Sequence, residues 1–104
     1  LHKIFDTLID SFIENRVGIT DNFLHTSLAN SLKENLLLLY KDNNFLNAGT
    51  GNDNHVAHDK LFRSDMIYWL DRSHNNAFEN QFFDIMDAFI IYLNATCFTN
   101  IKNY

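Results

Sequence analysis

Residues 77–94 leave the chain least freedom. Phe78, Phe82, Ile85, Met86, Phe89, Ile90 and Leu93 recur there at spacings of three, four and seven. That recurrence puts them on one broad face of an α-helix. A helix of this length is about 27 Å long, and so much apolar surface must be covered by other elements. The sequence offers two more helices for the purpose. Ile4, Phe5, Leu8, Ile9, Phe12 and Ile13 form one stripe over residues 2–15, and Leu28, Leu32, Leu36 and Leu39 form another over residues 26–40. Thr26 or Ser27 can cap the second of these. Asn75 or Asn76 can cap the helix over 77–94, and Asn94 suits a left-handed C-terminal cap.

Between the helices lie short segments that read as strands: 17–20, 45–48, 61–70 and the start of one at 101–104. The segment Leu61–Asp71 is the most regular. Phe62, Met66 and Tyr68 share one parity, while Arg63, Asp65, Ile67 and Trp69 share the other, a period of two that marks an extended strand. Arg63 and Asp65, two positions apart, share a face and can pair. Residues 49–60 have almost nothing to bury and predict a mobile surface loop. Proline is absent and glycine occurs three times, so turns fall to Asn and Asp. The fold class predicted from these elements is α+β in a single domain, with three helices and short, mainly antiparallel strands.

Charge and cysteine usage narrow the function classes. A net charge of −5 argues against a nucleic-acid partner, since phosphate binding is driven by Lys and Arg. The run Leu36–Leu39 falls far short of the roughly 20 residues of a membrane span, so no membrane partner is expected. The opening residues lack a signal-peptide layout. Cys97 has no partner for an internal disulfide, and a lone cysteine fits a reducing compartment; a cytoplasmic location and a buried Cys97 are the expectations. His55 and His58, flanked by Asp53 and Asp59, are candidate metal ligands, set against a solvated loop with no second cluster to complete a site. Gly49-Thr50-Gly51 lacks the rest of any phosphate-binding loop.

Three pieces together resemble a known family. They are Val17-Gly18-Ile19-Thr20-Asp21-Asn22-Phe23-Leu24, then Arg63-Ser64-Asp65-Met66-Ile67-Tyr68-Trp69-Leu70, then the helix near 78–93. Their order resembles the N-terminal part of the iron(II)/2-oxoglutarate-dependent dioxygenases of the prolyl-hydroxylase type, including the hypoxia-inducible-factor prolyl hydroxylases and bacterial relatives. The resemblance implies the N-terminal part of a double-stranded β-helix (jelly-roll) fold, with the helices packed outside one sheet. It implies that Arg63 and Asp65 order the substrate entrance and that Trp69 walls it. It also implies Fe(II) and 2-oxoglutarate as cofactors of the complete protein.

The family's His-x-Asp metal pair is missing. His2, His25, His55, His58 and His74 have no carboxylate two residues later. The facial triad that leaves coordination sites for 2-oxoglutarate and oxygen is therefore not assembled from these residues, which should be inactive alone and bind no cofactor. Two readings follow. In one, the chain is a fragment of a longer oxygenase, supplying scaffold and substrate entrance for a protein or peptide. In the other, it is a non-catalytic interaction or dimerisation domain derived from that fold, associating through exposed apolar surface.

Overall fold

The computed structural model describes residues 2–47 and 65–104. The whole of the predicted 49–60 loop, the last residue of the predicted 45–48 strand and the first four residues of the predicted 61–70 strand lie outside the described residues. Helix α1 is His2–Asn15, α2 is Thr26–Lys41 and α3 is Ala77–Thr96. Strands β1 (Leu46–Asn47) and β2 (Met66–Ile67) pair antiparallel, Leu46 opposite Ile67 and Asn47 opposite Met66. A 3₁₀ turn, Arg72–His74, precedes α3.

Helix α3 is the spine. Both α1 and α2 pack on it, and so does the 3₁₀ turn, whereas α1 and α2 have no packed contact with each other. The α1–α3 joint is aromatic. Phe5 is fully buried, with ring centroids 5.0 Å from Phe89, 5.6 Å from Tyr92 and 5.8 Å from Phe23. Phe23 meets Phe89 edge-on at 5.6 Å, one of the arrangements that aromatic quadrupoles favour. The Tyr92 hydroxyl donates to Asp6 on α1. On α2 the buried side chains are Leu28 and Leu32, two of the stripe residues. Asn76 Nδ2 donates to Asn35 Oδ1 at 3.1 Å and ties the start of α3 to α2.

The jelly-roll expectation is corrected. The structure is mainly helical, and its sheet is one ladder of two residues per strand. Segments 17–20 and 101–104 form no strand. The physical reason is visible at two helix side chains that stand where a neighbouring strand would. Ser11 Oγ on α1 accepts from the Ile19 N–H at 2.8 Å and lies 3.0 Å from the Ile19 carbonyl. Asn94 on α3 accepts from the Ile101 N–H at 3.0 Å and donates to the Ile101 carbonyl at 2.9 Å. Side chains that satisfy backbone groups in this way compete with a sheet ladder.

Three smaller readings also change. His25, not Thr26 or Ser27, is the N-cap of α2, its Nδ1 accepting from the Leu28 N–H at 3.3 Å. Asn94 is not a left-handed cap, because α3 continues to Thr96 and is closed by Cys97. Cys97 is exposed rather than buried. Turns fall only in part to asparagine: Asn22, Asn43 and Asn75 take positive φ of 58°, 60° and 52°, a region Asn tolerates better than most residues, but Arg16 and Phe98 take it too, at 63° and 55°. Gly18 lies close against α1. A Cβ there would lie 3.2 Å from both the backbone oxygen and Cδ1 of Leu8.

Truncating the central ring tests this packing. Phe5→Ala should destabilise the fold by about 3–5 kcal/mol, read from denaturant titration followed by circular dichroism. An unchanged midpoint would show that α1 does not dock on α3 through this ring.

Candidate functional site

The side chains singled out from the sequence do not converge on one pocket. Arg63, His55 and His58 lie outside the described residues. Asp65 is exposed just before β2, and Trp69 stands 75% exposed just after it. The two-faced alternation of this strand is not kept, since the neighbours Ile67 and Tyr68 are both half-buried. Tyr68 instead stacks on Phe45, centroids 5.5 Å apart at 27°.

The structure assembles a polar cluster that the sequence reading passed over. Glu79, in the first turn of α3, is only 1% exposed. Its Oε1 accepts from the Asp71 N–H at 3.0 Å and lies 2.9 Å from His74 Nδ1. The Tyr68 hydroxyl is 3.0 Å from the same ring nitrogen. A carboxylate facing Nδ1 favours the tautomer with its proton there, so the imidazole donates to Glu79 and the Tyr68 oxygen sits as a second acceptor. The Tyr68 pKa is raised above its ordinary value, first by burial and then by the Glu79 charge. Buried atoms Glu79 Oε2, Asn80 Oδ1 and Asn35 Nδ2 have no hydrogen-bond partner among the described residues.

Local sequence explains how Glu79 is placed. Asn76 is the N-cap of α3, its Oδ1 accepting from the amides of Phe78 and Glu79 at 2.9 and 3.0 Å. Asn76-x-x-Glu79 is a capping-box pattern, and that signal was present in the sequence. Here the glutamate does not reach back to the cap residue's own amide. It takes the Asp71 amide and the His74 ring instead, and so fastens residues 68–74 to α3. Asp71 in turn caps the 3₁₀ turn, accepting from the Ser73 N–H at 2.8 Å. That bond holds its carboxyl below the ordinary carboxylate range.

A buried carboxylate orienting an imidazole is half of a general-base arrangement. Through the bonds that Glu79 makes to the Asp71 amide and the His74 ring, the cluster is a lock between the β2 segment and α3. Outside it, Arg72 bridges Asp84 and Asp87 at 3.0 and 2.9 Å, with its guanidinium 5.3 Å from the Phe83 ring centroid. These pairs are solvated and add little stability. Among the described residues no three His, Cys, Asp or Glu side chains are grouped to hold a metal ion, and no helix is long and apolar enough to cross a membrane. The chain matches no family model, no curated protein and no solved structure.

What the structure offers beyond this lock is apolar surface. Among the apolar side chains of the described residues only Phe5, Leu28 and Leu32 are buried. Phe12 and Ile13 on α1 are 58% and 70% exposed, Leu37 and Leu38 on α2 are 51% and 61%, and Ile91 on α3 is 70%. An open apolar trough of about 660 Å³ runs along α2, lined among others by Ala29, Leu36, Leu37, Tyr40 and Phe45. A second of about 520 Å³ lies between α1 and the end of α3.

Replacing the locking carboxylate tests its role. Glu79→Ala strands the Asp71 amide and the His74 ring and should cost about 1–3 kcal/mol, while Glu79→Gln keeps an acceptor and should cost less. Either variant should lower the Tyr68 pKa, because the neighbouring negative charge is gone; NMR titration of the tyrosine rings reads this directly. A Tyr68 titration that does not move in Glu79→Gln would contradict the cluster.

Proposed function

We propose that the chain is a non-catalytic protein-association module whose outward apolar helix faces are covered by protein. The observation that carries this reading is the imbalance just described: three buried apolar side chains against exposed Phe12, Ile13, Leu37, Leu38 and Ile91. Exposed apolar patches beyond a few hundred Å² mark association surfaces, and covering them adds hydrophobic stabilisation to that of the three buried apolar side chains among the described residues. Light scattering should find a dimer or larger species. A monomer that also binds no hydrophobic dye would contradict the reading.

The second reading keeps the sequence resemblance. In it the chain is the scaffold and entrance region of a 2-oxoglutarate-dependent oxygenase acting on a protein or peptide, with Fe(II) and 2-oxoglutarate held by residues beyond these. One observation favours it: Trp69, the residue expected to wall the entrance, stands exposed beside β2. Succinate release by the full-length gene product, dependent on both iron and 2-oxoglutarate, would establish this reading. Its absence, together with a self-associated chain, leaves the association module.

A further inference from the structure

The outer face of α2 carries a charge pattern that complements itself. Residues 33–42 read Lys-Glu-Asn-Leu-Leu-Leu-Leu-Tyr-Lys-Asp. About the midpoint between Leu37 and Leu38, Glu34 mirrors Lys41, and Lys33 mirrors Asp42. Glu34 and Lys41 each lie one helical turn from that midpoint, on the same face as Leu37 and Leu38. All six side chains are exposed. Neither Glu34 nor Lys41 forms an ion pair among the described residues. The buried side of α2, Leu28 and Leu32, points the other way, to α3.

We propose that two copies of this chain associate through antiparallel α2 helices, related by a two-fold axis between Leu37 and Leu38. The inference rests on the association reading above and names its partner and surface. At the axis Leu37 and Leu38 of both copies bury one another. One turn away on either side, Glu34 of each copy faces Lys41 of the second copy. A C₂ interface requires this kind of self-complementarity, with residue i meeting j and j meeting i. The charges also select orientation. Parallel α2 helices would set Glu34 beside Glu34 and Lys41 beside Lys41, and like charges in register are unfavourable.

Charge reversal tests the pairing, with sedimentation velocity at low salt as the readout. Glu34→Lys and Lys41→Glu should each weaken the dimer about tenfold, since each turns two attractive pairs into two repulsive ones. Mixing the two single variants should restore association, because each then meets the opposite charge on the other. Leu37→Asp should give monomers of lower melting temperature, and at high concentration circular dichroism should show the charge variants as helical as the wild type, as Glu34 and Lys41 are exposed. Two results would overturn the proposal. If the wild type associates but the charge variants bind as tightly, or the mixture is no tighter than either alone, a different face makes the contact and the association reading stands. If the wild type is a monomer that pairs with an unrelated protein, the second copy is the wrong partner. A monomer with neither partner nor dye binding removes both readings.

Discussion

Among the described residues Phe5 is the apolar side chain that solvent does not reach at all, and the arrangement of the helices depends on where its ring sits. It meets Phe23, Phe89 and Tyr92 at once. One contact set therefore fixes α1, the turn before α2 and the second half of α3. At the other end of α3 the joint is polar. Asn76 binds Asn35, and Glu79 gathers Asp71 and His74. Helix α3 thus has a dry aromatic end and a hydrogen-bonded end, with α1 held at the first and α2 at the second. Because α1 and α2 pack on the spine without packing on each other, each keeps an outer face that nothing within the described residues covers.

The small amount of sheet follows from the same economy. A strand needs a neighbour to satisfy its amides and carbonyls. In segments 17–20 and 101–104 that need is met at Ile19 by Ser11 and at Ile101 by Asn94. Both side chains project from helices already in place. Once they have taken these backbone groups, little favours a ladder, and the sheet stays at two residues per strand. Tyr104 continues the pattern, its hydroxyl donating to Asp87 on α3 at 2.7 Å and holding the final segment against the spine.

Much of this was legible in the residue pattern, and the rest was hidden for physical reasons. The helices lie where apolar residues recur at three and four, because that spacing has only one extended solution. The positive-φ asparagines follow from a chain with no proline and three glycines. Of the strands expected from alternation, Met66–Ile67 does pair antiparallel with Leu46–Asn47, whereas 17–20 and 101–104 do not, because pairing depends on distant side chains such as Ser11 and Asn94. The cap by His25 was missed because imidazole is an uncommon cap, and Ser27 beside it engages the same ring, its hydroxyl 3.0 Å from His25 Nδ1. Glu79 was passed over although Asn76-x-x-Glu79 was readable, since the pattern places the glutamate near the helix start without showing which amide and ring it will take. The resemblance led toward a sheet because short motifs carry local order, whereas the fold class is decided by what the remaining backbone groups pair with.

With three buried apolar side chains among the described residues and broad helix faces that no described residue covers, the fold should be stabilised by the contacts that cover them. Association that favours the folded state makes the melting temperature depend on protein concentration. The most direct measurement is therefore a series of circular-dichroism melts of the chain over a wide range of concentration. The account predicts a midpoint that climbs steadily with concentration, as folding and assembly are linked. A midpoint that stays constant while the chain remains folded and monomeric at the lowest concentration would contradict it, and would mean that the aromatic joint and the Glu79 lock suffice on their own.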